Sequence, residues 1–172
     1  MSDMTGLSRS AGVGDIALHE VRLLGVPIAM HAAAQEHGAE LMREMYLIAQ
    51  QLHTAGDGGA AEHLPVRLVQ LVEALTGEYS GWTATQDREL ETAVAEGVES
   101  IDLVYQIPAG AGPAAQQLGG MLDESDDYCR AGQHLLTLAT PPELVRYRQW
   151  YLGQFVRQLD GHPATPWAEF AG

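Results

Sequence analysis

Residues 16–25 (IALHEVRLLG) set branched apolar side chains in a stretch too short for an ordinary helix, and the pattern predicts a strand. Pro27 follows, well placed as the first residue of a helix. Ala34, His37, Leu41, Met45, Ile48 and Leu52 then recur at spacings of three and four, which predicts an amphipathic helix to about His53. Thr54–Ala61 (TAGDGGAA) is a loop by composition. Pro65 opens a second helix, with Leu68, Val69, Val72 and Leu75 in its stripe and a stop near Gly77. A turn around Ser80–Gly81 leads to a third helix, about Thr85 to Glu96, with Gly97 as its stop.

The pattern then restarts. Ser100 to Ile107 (SIDLVYQI) reads as a second strand, and Pro108 follows it. The next helix carries Leu118, Met121, Leu122, Tyr128, Cys129, Leu135 and Leu136 on one broad face. Pro141–Pro142 break it and open a last helix to about Leu159. The tail GHPATPWAEFAG is too rich in proline for helix or strand.

At a constant offset of 81 residues, Val26–Pro27 aligns with Ile107–Pro108, Ala34–Gln35 with Ala115–Gln116, Gly38 with Gly119 and Leu41 with Leu122. These matches predict pseudo-duplicated β-α-α halves, about 16–98 and 99–160, with the helix around Glu89–Glu96 inserted after the first copy. The expected fold is mainly α with a minor β part: a helical layer or bundle whose two short strands pair as a ribbon. Residues 1–15 read as a flexible tail and 161–172 as a Pro-rich tail around a single helix-rich domain. A two-stranded ribbon is marginal alone and has two open edges. Edge pairing across a dimer axis would close it, so a homodimer is expected.

Composition narrows the chemistry. The 172 residues carry a net charge of -14, and all nine basic residues are Arg, because the chain contains neither Lys nor Asn. A Schiff-base lysine, a Walker A loop and a kinase lysine are excluded. The acidic balance argues against nucleic acid as a partner, since phosphate binding needs a basic footprint. No apolar run approaches the ~20 residues that cross a bilayer, and residues 1–15 hold no signal-peptide core, so no membrane association is expected. The single cysteine, Cys129, forms no internal disulfide, which fits a reducing, cytoplasmic setting.

The seven histidines, His19, His31, His37, His53, His63, His134 and His162, form none of the usual zinc or di-iron spacings. The acidic run Asp123, Glu124, Asp126 and Asp127 reads better as a solvated helix face, with Asp126 reaching Arg130, than as a cation site. Ser80, Ser100 and Ser125 lie in no nucleophile elbow, and Cys129 sits in an apolar stripe beside carboxylates that disfavour a thiolate. Glu40 and Glu44 share a helix face with other charges, as surface residues do. No catalytic residue, metal or cofactor is expected.

The last helix offers more. Leu144, Tyr147, Tyr151, Leu152, Phe155 and Leu159 share its core face, whereas Trp150 falls outside it, beside Arg146 and Arg157. Trp and Arg are enriched at interface hot spots, so Arg146, Trp150 and Arg157 are a candidate partner-binding surface. The competing reading packs Trp150 under the tail, against Pro163, Pro166 or Trp167. A second candidate site is a pocket between ribbon and helices near His37, Tyr105 and Tyr128; the gap left by Gly38, Gly119 and Gly120 either helps to form it or simply lets helices approach closely.

The stretches EVRLLGVPIAM and AQEHGAELMREMYLI, together with GGMLDESDDYCRAGQHLLTLATPPELVRYRQWYLGQFVRQLDGHPATPW, resemble an uncharacterised family of small actinobacterial proteins, from Leu18 to Trp167. Its members are encoded near anti-sigma-type ATP-binding proteins, STAS-domain antagonists and serine phosphatases. The chain departs from the GHKL ATPase pattern, whose metal-binding box needs an Asn. The resemblance implies a regulatory context, and together with the missing catalytic signatures and the Arg146/Trp150/Arg157 surface it leads us to expect a non-enzymatic regulatory protein that binds a protein partner in a sigma-factor or partner-switching system. The rival expectation is a small-molecule sensor, or an unrecognised enzyme, built on the pocket.

Overall fold

The computed structural model describes residues 16–56, 59, 62–131 and 139–171. The N-terminal tail predicted over 1–15, together with His134, Leu135 and Leu136, lies outside the described residues. The fold is mainly α with a small β part. Strand β1 (Leu18–Pro27) leads into helix α1 (Ile28–Thr54), and α2 (Leu64–Glu96) follows. Strand β2 (Ser100–Pro108) then leads into α3 (Ala111–Arg130) and α4 (Pro142–Leu159), and Trp167–Glu169 form one 3-10 turn. Pro27 ends the strand in an extended conformation rather than opening the helix, and Ile28 donates its free N–H to the Glu99 carbonyl at 3.1 Å.

The two strands pair antiparallel, from Leu18 opposite Pro108 to Pro27 opposite Ser100. Alternation places Val21 and Leu23, with Leu103, Tyr105 and Ile107, on one buried face. Between Leu23 and Val26 the register slips, and Gly25 takes a left-handed φ of 69°. This bulge lets Val26 rejoin the inward face three residues after Leu23. Asp102 accepts the Gly25 N–H at 2.6 Å and fixes it.

Both edges of the ribbon are met from within the chain. Arg22 and Val104 stand opposite each other, and their outward backbone groups are bonded by glutamines. Gln158 of α4 accepts the Arg22 N–H at 2.9 Å and donates to the Arg22 carbonyl at 2.7 Å, as a third strand would. Gln86 of α2 donates to the Val104 carbonyl at 2.5 Å. The open edges on which a homodimer was expected are therefore covered at their centre.

The contacts follow an approximate two-fold pattern. Within each half the helices pack together, α1 on α2 and α3 on α4. Across the halves, α2 lies on β2, α4 on β1, α2 on α3 and α4 on α1. The second helix of each half thus seals the strand of the other. A motif in those helices matches the exchange: Tyr79, Gly81 and Gln86 recur with identical spacing as Tyr151, Gly153 and Gln158.

Helix α2 corrects the sequence reading. It is one continuous helix of 33 residues, with Gly77, Ser80 and Gly81 inside it, not two helices joined by a turn. Each glycine costs about 1 kcal/mol relative to Ala in a helix. Tyr79 and Trp82, both partly buried, pack on the ribbon core from this stretch, and the apolar area they remove from water, at roughly 25 cal/mol per Å², offsets that cost. Gly97 does stop it, at φ 65°, with Val98 N–H reaching back to the Ala93 carbonyl.

Two apolar cores result. One lies under the ribbon and includes Val21, Leu23, Leu90, Leu103, Tyr105, Tyr147, Trp150 and Phe155. The other lies at the far end of the helices, around Leu41, Met45, Leu64, Leu68 and Met121. No described helix is long and apolar enough to cross a membrane.

Candidate functional site

A cavity of about 250 Å³ sits at the seam between the two cores. Helix α1 supplies His31, Ala34, Gln35, His37, Gly38 and Leu41, α3 supplies Leu118 and Leu122, and α4 supplies Leu144, Tyr147, Arg148, Tyr151 and Leu152, with Thr140 ahead of α4. The walls are mostly hydrocarbon. The polar atoms arrive in tethered pairs. His31 Nδ1 and the Tyr147 hydroxyl are 2.9 Å apart, His37 Nε2 and Thr140 Oγ1 3.0 Å, and the Tyr151 and Tyr105 hydroxyls 2.7 Å.

Helix α4 is tied to α3 behind the cavity. One guanidinium nitrogen of Arg148 donates to Asp126 and Asp123, at 2.7 Å each, and Asp126 also accepts the Thr140 N–H at 3.2 Å. Burial by itself would raise the Asp126 carboxyl, but the bonds from Thr140 and Arg148 and the Arg148 charge hold it below its ordinary value. Asp126 is buried, so it does not lie on a solvated face and does not reach Arg130. Asp127 pairs with Arg130 at 2.5 Å and Glu124 with Arg67 at 3.2 Å, so the whole acidic run is spent on arginines. Among the described residues, no group of His, Cys, Asp and Glu is placed to hold a metal.

Burial sets the protonation of the site. It lowers the His31 pKa, against a smaller opposing effect of Asp87, and keeps that imidazole neutral near pH 7. Burial lifts the Tyr105 and Tyr147 hydroxyls far above their usual range, and the Tyr151 hydroxyl is pushed up to about 12. Burial and the nearby Asp126 raise the Cys129 thiol. Beside the ion-paired Arg148 guanidinium, the site presents a neutral imidazole and tyrosine hydroxyls held in their protonated form, in a mostly apolar wall.

The proposed pocket residues are divided by the structure. His37 and Gly38 line the cavity. Tyr105 stands behind the wall, 1% exposed, and reaches the site only through Tyr151. Tyr128 packs on the distal core instead. Gly119 and Gly120 line a separate groove between α3 and α4. The cavity lies among helices, not between helices and ribbon, because Tyr105 and Phe155 fill that layer edge to face with ring centroids 5.1 Å apart.

The candidate partner surface fails at its centre. Trp150 is 0% exposed and donates its indole N–H to the Thr165 carbonyl at 2.8 Å. Gln154 accepts the Thr165 N–H at 3.0 Å, so both backbone groups of Thr165 are clamped on α4. Trp167 packs edge to face on Trp150 with centroids 5.5 Å apart, and Arg146 lies over the Trp167 ring at 4.7 Å and donates to the Phe170 carbonyl. Arg157 is exposed in the last turn of α4. The competing reading, Trp150 packed under the tail against Trp167, is the one that holds, because α4 is covered on a second side by residues 163–170. The tail has no long element, as its prolines require, yet it is docked.

Sequence reasoning missed Arg148, Thr140 and the His31–Tyr147 pair. The recurrence of Tyr79-x-Gly81 as Tyr151-x-Gly153 would have marked Tyr151, but it runs at a different offset from the strand repeat. The chain matches no family model, no curated protein and no solved structure.

Proposed function

We propose that this chain is a small-molecule receptor with a regulatory role, acting by binding rather than by catalysis. The observation that carries the reading is the cavity: a hydrocarbon-walled space with a few convergent polar groups is the usual form of a ligand site. The neutral His31 and the raised hydroxyls and thiol favour recognition over acid–base or nucleophilic work. The regulatory setting rests on the resemblance of Leu18–Trp167 to the actinobacterial family. There the receptor would report occupancy to a cytoplasmic protein partner of a partner-switching kind. With Trp150 committed to the tail, the Arg146/Trp150/Arg157 surface is not carried forward as the place where that partner binds.

The test uses Gly38, on the cavity wall, where an added Cβ meets nothing within 4 Å. A panel of one- and two-ring compounds is screened by thermal unfolding. A compound at a hundred times its Kd stabilises by about 2.7 kcal/mol, a rise of roughly 5–10 °C for a chain of this size. In Gly38→Leu the new side chain fills the space, so the shift is expected to vanish while the unliganded Tm holds or rises. Equal shifts in both proteins would remove the cavity as the site, and no shift with any compound would remove the receptor.

A further inference from the structure

We infer that the groove between α1 and α2 is the docking site of the protein partner and takes a basic amphipathic helix; this deepens the receptor reading by supplying the partner surface, and rests on it for the regulatory role. The groove, of about 630 Å³, is lined by Ala32 and Gln35 of α1 and by Asp87, Leu90, Glu91 and Val94 of α2. It backs onto the cavity, because His31 and Gln35 line both. Leu90 lines it almost wholly buried, Ala32 adds a methyl group, and Val94 lines it while 44% exposed. Val98, 38% exposed, follows just past the end of α2. An apolar strip between two helices suits a third helix that carries its anchors at i, i+4 and i+7.

Charge selects the flanks of that helix. Asp87 and Glu91 are exposed one turn apart on α2, and among the described residues no arginine lines the groove. Arg88, the nearest in sequence, donates its Nε–H to the Ala84 carbonyl at 3.1 Å and lines a different groove, with Thr92 and Glu96. Glu36, next to Gln35 on α1, is exposed as well. Arg or Lys beside the apolar anchors of a partner helix would meet these carboxylates, whereas an acidic helix, a phosphate backbone or an anionic membrane would be repelled. A second copy of the chain is disfavoured on the same ground, since each copy carries a net charge of -14.

The probe is a capped helical peptide of about 14 residues built from Ala, Leu and Arg, with Leu at i, i+4 and i+7 and Arg beside them. Its binding to the full chain is read by fluorescence anisotropy at roughly 0.05 M salt, where screening is weak. Replacing its leucines by serine is expected to weaken binding by about tenfold or more. Asp87→Asn/Glu91→Gln, at two exposed positions, is expected to weaken it about tenfold, and Glu73→Gln/Glu78→Gln, the same loss of charge elsewhere on α2, less than about twofold. Equal losses in the two variants would assign the attraction to the acidic chain as a whole, and equal binding of the leucine and serine peptides would leave the apolar strip without a role; either overturns the inference. So does no binding of the leucine peptide, and so does a dimer, seen by sedimentation, that Val94→Asp dissolves, because the groove would then belong to a second copy. The receptor reading is tested separately by the thermal shifts in Gly38→Leu and stands under each of these results.

Discussion

In each half a strand ends at a proline, Pro27 or Pro108, and a helix leaves it toward a second helix that crosses to the other half's strand. The first helices then meet their surroundings differently. On α3, Gly112 lies so near α4 that an added Cβ would stand 3.4 Å from Leu159 Cδ1 and 3.9 Å from the Phe155 carbonyl. The corresponding residue of α1 is His31, whose imidazole reaches Tyr147 on one side and lines a groove with Asp87 and Leu90 of α2 on the other. A glycine closes one helix pair; a histidine props the other open. The same contrast runs down the helices, with Met45 of α1, fully buried in the distal core, answering to the buried, ion-paired Asp126 of α3. Two similar frameworks differ in how closely their first helices approach the neighbouring helix at this level because a few side chains differ in size and polarity.

The largest test contrasts Trp150 with Glu78, the matching position of α2. Trp150→Ala is expected to cost about 3–5 kcal/mol in denaturant unfolding, as a large core truncation does. Glu78→Ala, on an exposed turn, should stay within about 0.5 kcal/mol. Comparable losses at both sites would break the correspondence between the helices.

Next is the ion pair. Asp126→Ala leaves the nearly buried Arg148 with only the more exposed Asp123 and the Thr140 N–H without its acceptor, and is expected to cost about 3 kcal/mol. The double change Asp126→Met/Arg148→Met, which copies the apolar choice at Met45, should recover most of that loss. A double variant no better than the single one would show that the two sites are not interchangeable.

His31 sharpens the comparison through pH. Its folded pKa lies below the ordinary 6.5, so the unfolded chain binds the proton more readily. Stability contributed by the neutral imidazole is complete above about pH 6.5 and declines as pH falls through that value toward the folded pKa. Unfolding midpoints measured from pH 7.5 to 5 should fall less steeply in His31→Gln; an unchanged slope would assign the acid sensitivity elsewhere. The smallest effect is a gain. Gly81→Ala, exposed on α2 with nothing within 4 Å of the new Cβ, should add about 0.5–1 kcal/mol.

Periodicity and proline placement made the strands, α1, α4 and the ribbon legible. The split of α2 was a misreading because glycine signals are local, while Tyr79 and Trp82 gain their burial from a ribbon formed later in the chain. Of the two readings of Trp150, the one that packs it under the tail holds and the exposed partner surface does not: its cover comes from Thr165 and Trp167, which no helical wheel of α4 contains. His37 was found because it stands on an apolar stripe. Arg148 escaped notice because, among nine arginines, only the fold singles out the one aligned with a buried aspartate.

The exchange of second helices also orders events in time. While the chain is made at roughly 5–20 residues per second, α1 and α2 can meet at once and assemble most of the distal core. Strand β1 cannot. Its partner begins at Ser100, and the glutamine that closes its outer edge is residue 158. Its apolar face therefore waits several seconds for the rest of the chain, and the ribbon is the last part of the molecule whose partners are all made.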